Sequence, residues 1–394
     1  MWIVSQIGAR EHYGIARALQ SSGRLTGMIT DFWVPPGSVL GFMPGGARLR
    51  DRFHHELEGA TVTAPNLRML GYEMQARLRK LNGWDRIMAR NQLFQHEALK
   101  ALRDINSRRV GSEVPTVFSY SYAARDLFRV AKGWGWNTVL GQIDPGPGED
   151  AIVRRLRAAH PEWAGPNEAS PPESYWRDWR EECALADRIV VNSEWSRSLI
   201  ADAGIEQKKI EVLPLAYDPG EPTIIMDGRF SPSELKLRVL YLGQVIVRKG
   251  IQDLVAAARM LTNESIQIDI VGPHGPLPQG LPENLTFHGA VPRSEAAKWY
   301  ARADVFVLPT HSDGFALTQL EAMSYGLPVI ATACCGEVVN HGENGLQVAP
   351  GDAESLAERL RWMLEHPQER RQMRVAARKT AESFGLNKIS KILL

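Results

Sequence analysis

The carboxylates Asp313 and Glu321 stand eight residues apart in an otherwise apolar, glycine-punctuated stretch at 310–332, THSDGFALTQLEAMSYGLPVIAT. The neighbours of Glu321 repeat at helical spacing, which predicts a buried helix of about three turns ended by Gly326. A buried, unpaired charge is costly, whereas a carboxylate is satisfied when it accepts hydrogen bonds from ligand hydroxyls. Glu321 is therefore a candidate for binding a diol such as a ribose. The alternative is that it pairs with an arginine of the core or caps a neighbouring helix.

The start of the same predicted helix is a candidate anion site. It follows a predicted strand at 305–310, and its first amides, around 315–318, have no partner within the helix and lie at the positive end of its dipole. A phosphate is the anion that fits. Upstream, Arg248 and Lys249 end a predicted loop before Gly250, where two cations could bind a diphosphate, arginine by its planar fork and lysine as a point charge. Adjacent Arg and Lys residues are common on protein surfaces. This pair indicates a binding site only because an anion site is predicted at a helix start in the same domain.

Short β-branched runs alternate with helix-length segments along the whole chain. This alternation predicts parallel sheets that are covered by helices on both faces. At 394 residues the chain accommodates two such sets, so we predict an α/β protein of two Rossmann-like, doubly wound domains. The first domain is predicted at 1–218, a Pro- and Gly-rich linker at 219–236 and the second domain at 237–376. The carboxyl ends of the strands of two facing domains line one cleft, so we expect the active site between the domains.

The overall composition excludes several classes of protein. The chain has 46 basic and 45 acidic residues, and this balance argues against nucleic acid as a partner. The three cysteines lack CxxC spacing, which suits a reducing compartment and offers no zinc or disulfide framework. The N-terminal run resembles a first strand and not a signal peptide, and no apolar run reaches the roughly 18 residues of a membrane span. We therefore expect a cytoplasmic protein.

The first quarter of the chain is more basic than the rest. Residues 1–90 hold 12 Lys and Arg against 7 Asp and Glu. Residues 33–66 are predicted to form a long loop, and residues 67–90 a basic helix. A basic helix beside an apolar loop could contact an anionic membrane surface peripherally, at the inner face of the membrane. The alternative is a solvated helix face with a capping loop.

The order of motifs from Leu237 to about Trp362 resembles the C-terminal domain of nucleotide-sugar glycosyltransferases of family 4, which are retaining enzymes with the GT-B fold. The likeness rests on RKG at 248–250, on DGFALTQLEAM at 313–323 and on GLPVIATACCGEVVNHGENGLQVAPGD at 326–352. It continues in the first half of the chain in ADRIVVNSEWSRSLIADAGIEQKKIEVLPLAYDP. Several long motifs in the same order make this a specific signal.

The resemblance implies roles for the matching positions. Glu321 corresponds to the ribose-binding acid, and Lys249 corresponds to the diphosphate-binding lysine. The loop whose amides hold the sugar and phosphate corresponds to Gly314, Phe315, Ala316 and Leu317. The positions that line the nucleotide base correspond to Gly272 and Val291, and the N-terminal loop that closes over the donor contains Gly8.

Departures from the family pattern concern the catalytic residues. Asp313 stands where the family usually has Glu, and it is shorter by one methylene. Gln244 replaces a frequent Arg after Gly243, which leaves Arg248 to supply the second cation. We therefore assign the catalytic positions to Asp313, Lys249 and Arg248, with Gln244 at the donor. The family also works without a metal, so the two cations and the helix dipole must stabilise the diphosphate as it leaves.

The resemblance implies that the first domain, 1–218, binds the acceptor and that the second domain, 237–376, binds the nucleotide-sugar donor. In the first domain the pattern is weaker. Tyr120 and Ser121 occupy the neighbourhood in which many members carry a His, and the contact of this domain with the donor sugar stays unassigned. His12, predicted at a helix start, also receives no role. The tail at 377–394 is amphipathic and, by resemblance, crosses back to the first domain.

The resemblance implies transfer of a sugar from a nucleotide diphosphate sugar, used as a co-substrate without any cofactor or metal, to a saccharide or lipid-linked acceptor. Synthesis of a surface polysaccharide is the expected setting. Two alternatives stay open. One is a nucleotide-sugar epimerase of the same fold. The other is a non-catalytic sugar-nucleotide-binding subunit, suggested by Asp313 and the missing histidine.

Overall fold

A computed structural model describes residues 1–42, 49–163, 169–218 and 236–393. The first domain contains the strands β1 (Trp2–Gln6), β2 (Leu25–Thr30), β3 (Val62–Thr63), β4 (Thr116–Tyr120), β5 (Asn137–Gly141), β6 (Arg188–Val191) and β7 (Ile210–Val212). Its helices are α1 (Gly14–Ser21), α2 (Asn66–Leu78), α3 (Gly83–Ser107), α4 (Arg125–Gly133), α5 (Pro147–Ala159), α6 (Glu173–Leu185) and α7 (Glu194–Asp202).

The second domain repeats this alternation of strands and helices. Its strands are β8 (Leu237–Leu242), β9 (Ile266–Val271), β10 (Leu285–Gly289), β11 (Val305–Leu308), β12 (Val329–Ala331) and β13 (Gly345–Gln347). Its helices are α8 (Ile251–Met260), α9 (Arg293–Arg302), α10 (Leu317–Ser324), α11 (Ala353–Glu365) and α12 (Pro367–Glu382), and a last helix, α13 (Asn387–Leu393), follows.

Both sheets are parallel and doubly wound, which confirms the predicted fold class. The strand order is β3-β2-β1-β4-β5-β6-β7 in the first sheet and β10-β9-β8-β11-β12-β13 in the second. Each order reverses direction once, between β1 and β4 and between β8 and β11, and ligands of open α/β sheets bind outside the carboxyl ends of the strands at such a point. The two crevices therefore define where the site must lie.

Apolar side chains on both faces of the strands explain the layers. In β1, Ile3 packs into one core of the first domain and its neighbour Val4 packs into the core on the opposite face. Trp179 of α6 belongs to the first of these cores, and Leu19 of α1 belongs to the second. A strand that is buried on both faces must be apolar at consecutive positions, which accounts for the β-branched runs of the sequence.

Two predictions for the first domain need correction. The long loop predicted at 33–66 contains β3, which pairs with β2 at the edge of the sheet. The single basic helix predicted at 67–90 is two helices, α2 and α3. They separate where Lys80 and Gly83 adopt positive φ angles of 52° and 51°, which a helix cannot contain. No described helix is long and apolar enough to cross a membrane.

The C-terminal end of the chain returns to the first domain. The boundary predicted at 376 falls inside α12, whose Ala377 and Ala381 belong to the core of the second domain. The crossover therefore begins only after α12 ends. Beyond it, Ile389 and Leu393 of α13 are buried in the core of the first domain. The predicted linker at 219–236 lies outside the described residues except for its last residue.

Candidate active site

A 3₁₀ turn at 247–249 carries two cations to the carboxyl end of β11. The turn passes into α8 through Gly250, which has a φ of 74° and lies so close to Pro309 that a side chain would overlap its carbonyl oxygen. Only glycine meets both conditions. The carbonyl oxygen of Arg248 accepts a hydrogen bond from the amide of His311 at 2.8 Å, which ties the turn to the loop after β11.

Asp313 lies between the two predicted cations. Lys249 Nζ contacts one carboxylate oxygen of Asp313, and Arg248 Nη1 lies 3.5 Å from the other. Burial acts to raise the pKa of Asp313, but Lys249 and Arg248 outweigh it, and the pKa is held below its ordinary value. The structure thus brings the three predicted catalytic residues together. Asp313 is charged, and it occupies a place in which both cations can hold an anion. In the described part of the chain, no three His, Cys, Asp or Glu residues are placed to hold a metal ion.

Glu149, in the first turn of α5, joins this group from the first domain. Its Oε2 lies 3.3 Å from Arg248 Nη1 and accepts a hydrogen bond from Ser312 Oγ at 2.9 Å. Burial raises the pKa of Glu149 to about 7, although Arg248 opposes the shift. The sequence analysis did not single out Glu149. The Pro147 and acidic first turn predict only a helix start there, and nothing local pairs it with a loop 163 residues away.

The loop that precedes α10 forms a second contact between the domains. Ser193 Oγ donates a hydrogen bond to the carbonyl oxygen of Gly314 at 2.7 Å, and Trp195 Nε1 donates to Ser312 Oγ at 3.0 Å. A side chain at Gly314 would come within 2.6 Å of the carbonyl oxygen of Ile143. The glycine is therefore needed because the first domain closes directly onto this loop.

The helix predicted at this site is shorter than expected. α10 has eight residues, and Ala316 is its N-cap. The amide of Ala316 donates to the carbonyl oxygen of Cys335 at 3.0 Å, so this amide is not available to a ligand. The Phe315 ring is buried and packs against the Phe384 ring, with centroids 5.9 Å apart. Among the described residues, the amides of Leu317 and the following residue have no acceptor, and these two could bind an anion.

Glu321 accepts a hydrogen bond from the hydroxyl group of Tyr300 at 2.8 Å. Tyr300, in α9, is 2% exposed and stacks on Tyr325 with ring centroids 5.3 Å apart. Burial, together with the charge of Glu321, raises the pKa of Tyr300 well above its ordinary value, so this hydroxyl stays a donor. This partner is neither of the two alternatives that the sequence left open. The ribose-binding role of Glu321 stays a prediction.

The predicted base-lining residues lie at the carboxyl ends of β9 and β10. Gly272 has a φ of 151° and approaches Gly243 so closely that a side chain would overlap the carbonyl oxygen of Gly243. The loops after β8 and β9 are therefore stacked. Gln244 is exposed beside them, and Val291 is partly buried against the core of the second domain.

The N-terminal loop is arranged around its own ion pairs. Gly8 has a φ of 85°, and its amide donates to Asp31 Oδ1 at 2.8 Å. Asp31 is fully buried and pairs with Arg52 at 3.3 Å. No hydrogen bond between described residues joins Gly8 to the second domain, so the structure does not bring Gly8 together with the Asp313 group.

The unassigned residues of the first domain surround a strained turn. Glu11, His12 and Tyr13 all have positive φ angles, between 49° and 61°, and the helix begins only at Gly14. His12 is thus exposed on a left-handed turn and not at a helix start. Burial raises the pKa of Glu11 to about 7, although the nearby Tyr120 hydroxyl and the charge of Arg10 oppose the shift. Both Tyr120 and Ser121 are 5% exposed.

The second domain resembles a known family of domains. Residues 236–366 match the family model described as Glycosyl transferases group 1. The chain is 28% identical over 234 residues to a D-inositol 3-phosphate glycosyltransferase of Arthrobacter sp. (strain FB24), covering 53% of this chain and 55% of the relative. It is 30% identical over 216 residues to the sulfoquinovosyl transferase SQD2 of Arabidopsis thaliana, covering 50% and 41%. The chain spans about half the length of the curated relatives it matches.

Solved structures resemble the whole chain. Sucrose-phosphate synthase from Thermosynechococcus elongatus superposes with a TM-score of 0.65 at 18% identity, covering 100% of this chain and 97% of that protein. The Anabaena protein HepE in complex with UDP-glucose gives a TM-score of 0.61 at 15% identity, covering 99% and 98%. At such identities the likeness is one of fold. The chain has the GT-B fold, two Rossmann-like domains facing each other across a cleft.

Proposed function

We propose that the protein is a retaining glycosyltransferase that moves a sugar from a nucleotide diphosphate sugar to a saccharide or lipid-linked acceptor. The observation that carries this proposal is the assembly of Lys249, Arg248 and Asp313 at the junction of the two domains, beside the start of α10. Two partly buried cations that share the carboxylate of Asp313 form an anion site whose own counter-ion can be displaced. A diphosphate carries the charge that would replace Asp313 there.

In the proposed reaction the bond between the sugar carbon and the diphosphate oxygen breaks, and an acceptor hydroxyl attacks from the same face and passes its proton to the departing diphosphate. Negative charge develops on the departing diphosphate, where Lys249, Arg248 and the amides at the start of α10 stabilise it. Asp313, released from Lys249, is then placed to accept hydrogen bonds from the donor sugar. Glu321, oriented by Tyr300, accepts hydrogen bonds from the ribose. None of these steps calls on a cofactor or metal.

The donor class has support from relatives. The HepE structure contains UDP-glucose, and the curated relatives are named as transferases of sugars. We therefore propose a nucleotide diphosphate sugar as the donor and use UDP-glucose as the first probe. Membership of family 4 and retention of configuration belong to the same proposal, and both rest on the motif resemblance.

A thermal-shift screen of the purified chain tests the donor site. UDP-glucose, UDP-N-acetylglucosamine, GDP-mannose and ADP-glucose are added separately, and we expect one of them to raise the midpoint of unfolding, since a ligand of the native state stabilises it. Lys249→Ala should lose most of that rise, while Lys298→Ala, which removes an exposed lysine of α9, should keep it. If no nucleotide sugar raises the midpoint of the wild-type chain, the proposal is wrong.

Product analysis separates the two alternatives. Incubation with the donor alone is expected to leave the sugar unchanged, whereas an epimerase would generate a new isomer. Incubation with the donor and a cell-envelope extract is expected to release the nucleoside diphosphate. If the donor binds but no nucleoside diphosphate is released at any enzyme concentration, the protein is a binding subunit.

We further propose that the first domain contacts an anionic membrane surface at its cytoplasmic side. Within the described residues, large apolar side chains that are exposed concentrate between residues 39 and 87, namely Val39, Phe42, Leu67, Met74, Leu78 and Ile87. Exposed basic residues accompany them on α2 and just after it, namely Arg68, Arg77, Arg79 and Lys80. Apolar side chains next to basic ones are the combination that binds anionic lipid headgroups.

Liposome flotation tests this contact. The wild-type chain is expected to float with vesicles that contain anionic lipid and to stay in solution with neutral vesicles. The double substitution Leu67→Asp and Leu78→Asp should abolish flotation, whereas Val110→Asp, at an apolar residue that is 94% exposed elsewhere in the domain, should not. A wild-type chain that stays in the soluble fraction with anionic vesicles at low salt would exclude membrane contact.

A further inference from the structure

A cavity of about 190 Å³ lies between the domains, and Arg248 is one of its lining residues. Among the described residues, the first domain forms most of the wall, and the second domain contributes residues 246–248. The volume is below the roughly 300–1,000 Å³ of pockets for drug-sized ligands, so the cavity has room for one small ring. Since Lys249 directly follows Arg248, a ring bound here would lie next to the proposed diphosphate site.

Aromatic side chains form one wall of the cavity. Tyr122 stacks on Tyr175 with ring centroids 4.5 Å apart and an angle of 18° between the planes. Trp84 packs against Tyr175 at 4.9 Å, and Trp176 packs against it at 5.2 Å. Aromatic rings offer a flat apolar face and, in Tyr and Trp, a polar edge. Such a wall suits a ligand that has an apolar face and polar groups around it, as a sugar ring has.

The backbone holds Tyr122 in a strained conformation at this wall. Its φ is 71°, in the left-handed region that bulky side chains avoid. Buried Glu182 accepts hydrogen bonds from the amides of Tyr122 at 2.6 Å and Ala124 at 2.8 Å, which fixes the turn. Strain of this kind persists only where the surroundings enforce it, and it is concentrated at functional sites.

Asp144 supplies a fixed carboxylate to the same cavity. Its Oδ1 accepts hydrogen bonds from the Tyr122 hydroxyl at 2.6 Å, from the amide of Gly146 at 2.8 Å and from Gln142 Nε2 at 3.3 Å. Gln142 is held in turn by Trp179 Nε1 at 2.9 Å. No described residue donates a hydrogen bond to Oδ2. Because a carboxylate only accepts hydrogen bonds, Oδ2 is suited to the hydroxyl group of a ligand.

We infer that this cavity is the acceptor site, and that it takes an uncharged sugar ring which lies against the aromatic wall and donates a hydroxyl hydrogen bond to Asp144 Oδ2. The inference rests on the proposed function, since only a transferase needs an acceptor. The lining disfavours an anionic ring, because it holds three carboxyl groups, of Asp144, Glu149 and Asp150, against two cations, Arg157 and Arg248. Of these cations, Arg248 is already held by Glu149 and Asp313.

Ligand-observed NMR with the full chain tests the site without relying on transfer. The probes are the methyl α-glycosides of glucose, mannose, galactose and N-acetylglucosamine, with glucose 6-phosphate as the anionic probe. We expect at least one glycoside to bind and glucose 6-phosphate to bind at least tenfold more weakly. Asp144→Asn and Trp84→Ala should each weaken glycoside binding at least tenfold. Asp104→Asn, which changes a surface carboxylate of α3 paired with Arg108, should bind as the wild type does.

Parallel measurements keep the outcomes apart. Circular dichroism shows whether each variant is folded. Tyr122→Phe is a milder second variant, because it keeps the aromatic wall and removes one hydrogen-bond donor to Asp144. We expect it to weaken glycoside binding about threefold. The inference is overturned if no glycoside binds the wild-type chain, if folded Asp144→Asn binds like the wild type, or if glucose 6-phosphate binds equally well. The nucleotide-sugar screen fails separately: glycoside binding without donor binding removes the proposed transferase function and leaves a sugar-binding cavity.

Discussion

The two walls of the interdomain cleft hold their functional groups in different ways. On the second-domain wall, Lys249 and Arg248 both pair with Asp313, so each of these charges lies beside an opposite charge. On the first-domain wall, Asp144 is held by neutral donors, and Tyr122 is held by the hydrogen bonds of its own backbone. A network of paired charges can exchange one anion for another. A network of neutral hydrogen bonds fixes a shape, which suits recognition of an uncharged ligand.

The strongest test of this contrast is removal of the central cation. Lys249→Ala should lower the transfer rate by about 10²- to 10³-fold, because removing one preformed donor to a developing negative charge has that effect. Affinity for the free nucleoside should fall much less. Rates are measured as nucleoside diphosphate release, with Lys298→Ala as the control. Equal losses in rate and in nucleoside affinity would remove the leaving-group role and reduce the second-domain wall to a binding surface.

Titration of the residue that connects the walls gives the next largest effect. Burial raises the pKa of Glu149 to about 7 from its ordinary value of 4.5, against the opposing charge of Arg248. A carboxyl with a raised pKa binds its proton more tightly in the folded chain, so the free energy of unfolding falls as pH rises from 4.5 to about 7. The full shift corresponds to about 3 kcal/mol.

Urea denaturation at pH 5 and pH 8 measures this difference. Glu149→Gln should reduce the loss of stability between the two pH values, whereas Glu358→Gln, at an exposed position of α11, should leave the wild-type difference unchanged. The raised pKa values of buried Glu11 and Glu182 contribute to the wild-type slope in both variants equally. If Glu149→Gln retains the full wild-type difference, Glu149 is charged at both pH values and the two walls are joined by a permanent ion pair.

A smaller effect is expected at Glu321, which combines features of both walls. Its carboxylate accepts a hydrogen bond from a neutral group, the Tyr300 hydroxyl. Its predicted ligand, however, is the ribose of the negatively charged nucleotide sugar. A hydrogen bond to a charged group contributes about 1.5–3 kcal/mol, so Glu321→Gln should weaken nucleotide-sugar binding about tenfold or more without unfolding the chain. Tyr300→Phe should have a smaller effect in the same direction. Calorimetric titration that finds an unchanged affinity for Glu321→Gln would exclude the ribose-binding role.

The sequence predicts the fold class well, because apolar runs and their alternation with helices depend on local residues. It misses β3, which is only two residues long and is held by its pairing with β2. It also predicts one helix where Lys80 and Gly83 break the chain into two, since a left-handed lysine has no signature in the sequence.

Part of the candidate site could be predicted from the sequence, and part of it could not. Lys249 and Asp313 belong to motifs with a fixed spacing, so the sequence could single them out. Glu149 meets Ser312 across 163 residues, and Tyr300 meets Glu321 from a neighbouring helix, and neither pair follows from periodicity. Tyr122 and Asp144 were missed for the same reason, although their positions just after β4 and β5, at the carboxyl edge of the predicted sheet, were a signal that could have been used.

The return of α13 to the first domain means that the polypeptide passes between the two lobes twice. Two domains that are connected by two chain segments can rotate about the axis through those segments, but they cannot translate or rotate freely relative to each other. Opening of the cleft to admit a donor should therefore follow a single hinge axis. Deleting residues 384–394 would remove one of these two connections and also uncover Ile15 and Leu19, which share a core with Ile389.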